Sequence, residues 1–317
     1  MTIRTVEYPV QSPPTTKDRV LGCLLGGALG DAWGGPFDGV AGPVVFNVPS
    51  RPELSDDTQL TLATCQSINE FGRVDPESLA SHLVRWFLAG RIRGMGSSTL
   101  KAMRDLAIGT HWALAGRCGE FAAGNGAAMR IAPLAFLLNP ADHRDRTLIR
   151  DVCRITHHSD EAYVGALAVM LSIRAVLSGV WSGDRSFLAV TVGGLPDSAV
   201  RDRILELLPL QLSELEVAHR FGATGHVVDT VPLALYCAQL IASEPLPTVL
   251  ARTISVGGDA DTIASIAGQL AGTVVGSTGV PDDLLTEVRG SVELRAIAKD
   301  FAELVAKDNS QSTQADL

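Results

Sequence analysis

Apolar residues recur three and four positions apart along most of this 317-residue chain, and polar residues fill the positions between them. This spacing matches the turn of an α-helix and gives each segment one apolar face. Strand patterns are scarce, because FNV at 46–48 and VTV at 190–192 are too short to build a sheet. We therefore predict an all-α fold with helices over residues 18–33, 58–71, 76–89, 97–108, 126–138, 145–156, 160–179, 198–210, 229–242, 246–255, 261–275 and 282–306.

Two of the predicted helices carry glycines at four-residue intervals. Residues four apart share one face of a helix, so each glycine stripe lets another backbone approach closely. Because glycine inside a helix costs about 1 kcal/mol relative to alanine, we expect both stripes to pack in the core. Such packing would bring the Asp31 end of the first helix and the Asp259 and Asp261 end of the second towards one site. The stripes are Gly22, Gly26 and Gly30 in the first helix and Gly268, Gly272 and Gly276 in the second.

No composition break, linker or low-complexity segment divides the chain, so we predict a single domain over residues 15–306. The first 14 residues are expected to form a flexible arm, because Pro13, Pro14 and the residues before them continue no periodic pattern. Residues 307–317 are polar and have little to bury, so we expect a disordered tail there.

Composition and charge narrow the possible partners and the compartment. Lysine and arginine number 26 against 35 aspartates and glutamates, a net charge of −9 that argues against a surface for nucleic acid or anionic lipid. The five cysteines are scattered and never spaced C-x-x-C, and the N-terminus lacks a signal-peptide pattern, so we expect a cytoplasmic protein with reduced thiols. The uncharged stretch 262–280 is interrupted by Gln269 and four glycines, so we expect no membrane span.

Two acidic motifs, SDDT at 55–58 and DADT at 259–262, each stand where a helix is predicted to begin. One interpretation is ordinary N-capping, since serine and aspartate accept hydrogen bonds from the free N–H groups of a first turn. Neighbouring helical residues project about 100° apart, however, so only one of Asp56 and Asp57 can cap. The other carboxylate must be solvated or bound.

The second interpretation of the acidic motifs is a metal site. Four carboxylates gathered near an apolar core would repel one another unless a cation held them together. With the hydroxyls of Ser55 and Thr262 they form an all-oxygen ligand set, which favours Mg²⁺ or Mn²⁺ over Zn²⁺. Two cations bridged by one aspartate would use four carboxylates economically. The spacing alone leaves capping and metal binding both open.

A glycine-rich stretch, AAGNGAAMR, precedes the predicted helix 126–138. Bare backbone N–H groups at Gly124, Asn125 and Gly126 could bind a phosphate. The stretch matches neither the dinucleotide fingerprint nor the Walker loop, and a simple turn is the alternative interpretation. Arg130 could add positive charge beside a phosphate or pair with an acidic neighbour.

Two adjacent histidines, His157 and His158, follow further along the chain. A structural role at a helix end is the ordinary interpretation of such a pair, and both imidazoles cannot easily face one site. If one is functional, we choose His157, because the helix beginning at Asp160 would aim it inward.

Together these motifs resemble those of the ADP-ribosylglycohydrolase family, which includes dinitrogenase reductase-activating glycohydrolase and the animal ADP-ribosylhydrolases. Six stretches match in the family's order, and they span most of the chain. The resemblance implies a compact, single-domain orthogonal helical bundle and a hydrolase that releases ADP-ribose from a modified protein side chain or related acceptor. The stretches are GCLLGGALGDAWG (22–34), SDDTQLTL (55–62), GNGAAMRIAPL (124–134), THHSDEAYVGALA (156–168), VVDTVPLALYC (227–237) and GGDADTIASIAGQLAG (257–272).

The resemblance also implies a centre of two divalent cations, Mg²⁺ or Mn²⁺. ADP-ribose would place its distal ribose on the cations and its diphosphate on Gly124, Asn125 and Gly126, with His157 lining the site. Hydrolysis at the anomeric carbon needs an activated water and a protonated leaving group, for which Asp57 and Asp261 are candidate catalytic residues. The implied metal ligands are Ser55, Asp56, Asp57, Asp259, Asp261 and Thr262.

Three departures from the family pattern bear on activity. Ser55 replaces the usual threonine and keeps an oxygen ligand, and Ala260 replaces the residue between two ligands. Asp38 stands where some relatives carry a glutamate that acts as acid, base or gate. The shorter side chain puts the reach of Asp38, and so its catalytic role, in question.

The stretch RGMG at 93–96 bears on the acceptor. Arginine-directed bacterial relatives carry an aspartate that can hold a guanidinium in a loop where this chain has Gly94 and Gly96. We therefore expect these glycines to line the substrate site and the substrate to be O-linked rather than arginine-linked.

The alternatives are an inactive ADP-ribose-binding protein and a di-metal nucleotide phosphohydrolase. We expect a monomer that acts on an ADP-ribosylated protein or conjugate.

Overall fold

A computed structural model describes residues 13–315, so most of the predicted N-terminal arm lies outside the described residues. The predicted all-α fold is confirmed, and the buried apolar side chains form one continuous core. The only sheet of residues 13–315 pairs β1 (Arg117–Cys118) with β2 (His157–His158) in parallel. The helices are α1 (Thr16–Gly34), α2 (Asp56–Phe71), α3 (Pro76–Leu88), α4 (Ser97–Ala107), α5 (His143–Arg154), α6 (Asp160–Leu177), α7 (Phe187–Thr191), α8 (Ala199–Leu207), α9 (Glu214–Phe221), α10 (Val227–Ala238), α11 (Leu246–Ile254), α12 (Ala260–Val275), α13 (Asp282–Thr286) and α14 (Ser291–Ala315).

The helix predicted over 126–138 is wrong. Two short 3-10 helices, Asn125–Ala127 and Ala132–Phe136, replace it and are joined by a turn. Every residue from 125 to 136 is buried, so the apolar pattern had no solvent face with which to mark a helical period. Pro133 also lacks the N–H that an α-helix would use.

Other differences from the predicted elements are local. The short helices α7 and α9 carry too few turns for a clear period and were not predicted. The segment predicted as one helix over 282–306 divides into α13 and α14 before Gly290, whose φ is 90°. Helix α14 continues to Ala315, into the segment for which we expect a disordered tail.

The two glycine stripes pack against each other, as predicted. A Cβ added to Gly22 would overlap the carbonyl oxygen of Gly272, and one added to Gly26 would lie 2.5 Å from the carbonyl oxygen of Gly268. Gly276 is the C-cap of α12, with a φ of 70°, and its backbone also lies against Gly22. The backbones of α1 and α12 are therefore in direct contact, which no residue with a side chain would permit.

Because α1 and α12 run antiparallel, the end of one lies at the start of the other. A Cβ added to Gly34, the last residue of α1, would lie 2.5 Å from the Cα of Asp261 in the first turn of α12. This packing brings Asp31 to the acidic motif some 230 positions later, as the stripes predict. None of the helices between residues 13 and 315 is long and apolar enough to cross a membrane.

Candidate active site

A cavity of about 570 Å³ lies where α2, α4 and α12 begin. Every site residue predicted from the sequence lines it except Ser55, whose hydroxyl lies 3.1 Å from Oδ2 of the lining residue Asp57. The predicted residues that line the cavity are Asp38, Asp56, Asp57, Gly94, Gly96, Gly124, Asn125, Gly126, His157, Asp259, Asp261 and Thr262. No lysine or arginine is among the described residues that line it.

Asp31 holds the start of α2 in place. Its fully buried carboxylate accepts hydrogen bonds from the backbone N–H groups of Ser55 and Thr58 and, at 2.5 Å, from the Thr58 hydroxyl. The capping role that the sequence left open for Asp56 or Asp57 belongs to Ser55, which accepts from the Asp57 N–H. Both aspartates of α2 are therefore free to project into the cavity.

The carboxylates of both acidic motifs converge. Ligand atoms of Asp31, Asp57 and Asp261 all lie within 4.8 Å of one another, and so do those of Asp38, Asp259 and Asp261. Oxygen Oδ2 of Asp57 accepts from the Thr262 hydroxyl at 3.3 Å, while its buried Oδ1 has no hydrogen-bond partner among the described residues. A buried carboxylate oxygen without a partner is costly unless a cation binds it.

Burial, and after it the neighbouring carboxylates, raise the pKa values of the cluster. Burial first, and Asp31 next, raise the pKa of Asp56 to about 7. Burial and then Asp259 raise the pKa of Asp261 to about 9. Burial and Asp261 raise the pKa of Asp57 well above its ordinary value. These carboxylates can all be ionised at neutral pH only if positive charge compensates them.

The residues present fit a pair of hard divalent cations. Every predicted ligand side chain ends in oxygen, the carboxylates are close enough to share ions, and Asp57 keeps one oxygen unpartnered. Oxygen donors of this kind are the ligands preferred by Mg²⁺ and Mn²⁺. The described residues thus contain clustered acidic groups able to hold divalent metal.

Asp259 is fixed by a residue from the glycine-rich turn. Its side chain makes no capping hydrogen bond to α12 and instead accepts from the Asn125 amide at 2.5 Å. The same amide donates to the Thr230 hydroxyl at 3.0 Å. Thr230 belongs to the VVDT stretch at the start of α10. Its role could not be predicted from the sequence, because only the fold brings α10 beside this turn.

The start of α4 is a second candidate anion site, beside the glycine-rich stretch. Gly96, the N-cap of α4, has no side chain to cap the helix, and Ser97, Ser98 and Thr99 line the cavity. Free N–H groups and the helix dipole both favour an anion at such a terminus. These three residues were not predicted from the sequence. The signal that could have identified them is the glycine before the helix, because it has no side chain to cap the first N–H groups.

Gly94 lies against the acidic cluster. Its φ is 87°, and an added Cβ would lie 3.1 Å from Oδ1 of Asp56. Both the backbone conformation and the close approach exclude a larger side chain. The loop 93–96 therefore presents backbone, not an acidic side chain, to the cavity.

The two histidines point apart, as predicted. His157 is buried and lines the acidic cavity, whereas His158 lines a different cavity and its Nε2 lies 2.7 Å from the carbonyl oxygen of Ala115. The pairing of β2 with β1 sets this alternation, because successive strand residues face opposite sides. Burial, followed by Arg130, lowers the pKa of His157 to about 3, so its imidazole is neutral.

Asp38 stands at the mouth of the cavity. It is more exposed than the other acidic residues, yet it reaches to within 4.8 Å of Asp259 and Asp261. Burial and the charge of Asp259 raise its pKa. An aspartate here is therefore long enough to contact the cluster.

Fold and cavity together define an all-α protein with a ligand site built around clustered carboxylates. The chain belongs to the ADP-ribosylglycohydrolase family, whose model matches residues 12–311. This is a family of enzymes that hydrolyse glycosidic bonds of ADP-ribose, and the chain is such a hydrolase.

Relatives of known activity are similar over most of their length. The ADP-ribosyl-[dinitrogen reductase] glycohydrolase of Rhodospirillum rubrum is 26% identical, over 92% of this chain and 97% of that protein. ADP-ribosylhydrolase ARH3 of Mus musculus is 26% identical over 89% and 90%, and ADP-ribosylarginine hydrolase Tri1 of Pseudomonas putida is 26% identical over 92% and 79%. A solved structure titled ADP-ribosylglycohydrolase-related protein complex superposes with a TM-score of 0.72, at 25% identity over 92% of this chain and 99% of its own.

Proposed function

We propose that this protein releases ADP-ribose from a modified protein side chain or related conjugate, using two divalent cations held by the acidic cluster. The observation that carries the proposal is the convergence of Asp57 and Asp261, from motifs 200 positions apart, around an oxygen that has no partner of its own. The proposed ligands are Ser55, Asp56, Asp57, Asp259, Asp261 and Thr262.

Bound divalent cations would fix the ribose hydroxyls and supply a polarised water at neutral pH. The chain's own residues keep the ligands in place. Ser55 and Thr262 orient Asp57 through their hydroxyls, and Asn125 orients Asp259. Because these side chains are held by hydrogen bonds before substrate arrives, the site is preorganised.

We assign proton transfer at the mouth of the cavity to Asp38. Burial and then the charge of Asp259 raise its pKa, which favours a carboxyl that holds a proton, and its partial exposure leaves room for a leaving group. Its position within 4.8 Å of Asp259 and Asp261 places it beside the proposed ribose site. Asp57 and Asp261 contribute charge that stabilises the oxocarbenium-like transition state.

The diphosphate is assigned to the side of the cavity formed by the start of α4 and the glycine-rich turn. Backbone N–H groups at the start of α4 and at Gly124 and Gly126 line that side of the cavity, together with His157. Binding of the diphosphate there would orient the ribose towards the acidic cluster.

The acceptor is proposed to be O-linked, as in a modified serine. The loop 93–96 offers no carboxylate to a guanidinium, and Gly94 has no space for one. A hydroxyl leaving group needs protonation more than charge pairing, which Asp38 can supply.

The test is a panel of substrates incubated with Mn²⁺ or Mg²⁺. Peptides carrying ADP-ribose on serine or on arginine are compared for release of ADP-ribose, and free nucleotides are assayed for release of phosphate. Asp57→Asn is the inactive variant, and Asp197→Asn, whose side chain is 97% exposed, is the matched control.

Faster release from the serine-linked peptide is the expected result. Faster release from the arginine-linked peptide would overturn the O-linked assignment alone. Phosphate release from nucleotides without release of ADP-ribose, or binding of ADP-ribose without turnover, would overturn the proposed reaction.

A further inference from the structure

The Thr156 hydroxyl lies between a buried cation and the imidazole that lines the cavity. Nη2 of Arg130 donates to Oγ1 of Thr156 at 2.9 Å, and Nδ1 of His157 lies 2.7 Å from the same oxygen. All three residues are at least 97% buried. No water competes easily for hydrogen bonds in such a setting, so the three groups must satisfy one another.

The chemistry of the donors fixes where the protons lie. A guanidinium can only donate, so Oγ1 of Thr156 must accept from Arg130. The hydroxyl hydrogen of Thr156 then has one acceptor among the described residues, which is Nδ1 of His157. If Nδ1 were protonated instead, Oγ1 would face two donors and its own buried hydrogen would be left without an acceptor, which is costly.

Arg130 is unusual in having no carboxylate partner. Its Nη2 donates to Thr156 and to the carbonyl oxygen of Val152 at 3.2 Å, while Nε and Nη1 are buried without partners among the described residues. A buried charge is normally paired, so an unpaired buried guanidinium is costly and suggests a functional role. Burial, and next the positive charge of Arg130, keep the neighbouring imidazole from taking a second proton.

The remaining nitrogen of His157 faces the glycine-rich turn. A Cβ added to Gly124 or to Gly126 would lie 3.2 Å from Nε2, so only bare backbone fits beside the ring. Nε2 has no hydrogen-bond partner among the described residues, and the ring lines the cavity. A proton on Nε2 would thus lie beside the glycine-rich turn, where the ring lines the cavity.

We propose that Arg130 and Thr156 are positioning residues that hold His157 as the neutral Nε2–H tautomer, a hydrogen-bond donor to an anionic group of the ligand. The identity of that anion as the diphosphate of ADP-ribose rests on the proposed function. The assignment of the tautomer does not, because it follows from the hydrogen bonds of the free protein.

The test combines NMR of the imidazole with ligand binding. Protein labelled with ¹⁵N-histidine is examined near neutral pH without ligand, and the His157 signals are assigned by their loss in His157→Gln. Long-range ¹H–¹⁵N correlations distinguish a proton on Nε2 from one on Nδ1. Affinity for ADP-ribose is measured by calorimetry in the presence of Mn²⁺.

Three variants separate positioning from packing. Thr156→Val keeps the shape but removes the hydroxyl, so we expect a tautomer mixture and about a tenfold weaker affinity for ADP-ribose. Thr156→Ser restores the hydroxyl and should restore both the Nε2–H signals and the affinity. Thr191→Val removes another fully buried threonine hydroxyl, paired with Ser172 outside the cavity, and should change neither readout.

A proton on Nδ1 in the unmodified protein would overturn the inference, and so would Thr156→Val that keeps a pure Nε2–H signal with unchanged affinity. A third result would separate the two proposals. If the Nε2–H signals depend on Thr156 but the protein has no affinity for ADP-ribose, the positioning role of Thr156 is supported and the proposed function is contradicted.

Discussion

At the scale of single residues, Asp57 is the most constrained group of the site. Hydroxyls of Ser55 and Thr262 bind its Oδ2, while its Oδ1 is buried without a partner among the described residues. A carboxylate held by one oxygen and open at the other is arranged to be a ligand. The buried crowding that raises its pKa makes it unfavourable as a bare charge.

Asp57→Asn should therefore abolish metal-dependent turnover while leaving the fold intact. Loss of one ligand charge is expected to weaken metal binding and turnover by at least about 100-fold. Release of ADP-ribose and far-ultraviolet circular dichroism measure the two effects. Full activity of this variant in the presence of a chelator would contradict the account.

The acidic cluster should also make the metal-free protein sensitive to alkaline pH. The folded-state pKa values of Asp56 and Asp261, about 7 and about 9, lie above those of the unfolded chain, so the folded state binds more protons in this range. Stability must then fall as pH rises. His157, with its lowered pKa, has the opposite slope, but this slope is half lost at the ordinary histidine pKa of about 6.5 and is small above about pH 7.5.

We expect the melting temperature of chelated protein to fall between about pH 7 and about pH 8.5, and to fall less in Asp261→Asn. Mn²⁺ should remove most of this fall in the unmodified protein, because bound cations compensate the ionised carboxylates. Thermal scans at several pH values check this, and a rise in melting temperature over the same interval would count against the crowding.

Asp38 is the residue for which sequence and structure give different emphasis. From the sequence, its side chain could be too short to reach the other carboxylates. In the structure, its carboxylate lies within 4.8 Å of those of Asp259 and Asp261. Asp38→Asn should lower kcat by about 100-fold or more with little change in KM, because a proton carrier is lost but no binding contact. Asp38→Glu should recover activity. Steady-state kinetics decide it, and an unchanged kcat in Asp38→Asn would remove the assignment.

Residue types and spacing identify the ligand candidates but not the groups that orient them. Asp31, Thr230 and the N–H groups of Ser97 to Thr99 were not assigned roles from the sequence. Their functions depend on which elements the fold places side by side, and no local pattern records that. The acidic motifs could be identified as candidate metal ligands, because paired carboxylates within apolar sequence are physically unusual.

At the scale of elements, the α1 and α12 pair sets the geometry of the site. The helices touch backbone to backbone along the glycine stripes, so any shift between them would move Asp31 relative to Asp261. Periodicity predicted this pair well, because each helix has a recognisable stripe. It failed for residues 125–136, which are buried on all sides and so offer no polar face.

Gly26→Ala should destabilise the fold by about 2 kcal/mol or more, because its Cβ would press on the carbonyl oxygen of Gly268. Gly193→Ala is the control, since a Cβ there meets nothing within 4 Å. Denaturant unfolding measures both. Equal stabilities for the two variants would show that the helices are not in the described contact.

At the scale of the whole molecule, the site exists only in the completed fold. One acidic pair begins α2 in the first quarter of the chain, and the other lies at the start of α12 near its end. The turn that fixes Asp259 lies between them in the sequence. The resemblance to the family predicted that the two acidic motifs converge, because six motifs match in the family's order. The packing of α1 on α12 is the physical cause of that convergence.

The most direct measurement is anomalous diffraction from crystals grown with Mn²⁺. The account predicts two peaks beside Asp57 and Asp261, both lost in Asp57→Asn crystals or reduced to one. Carboxylates that face solvent with no peak between them, in protein that still releases ADP-ribose, would contradict it.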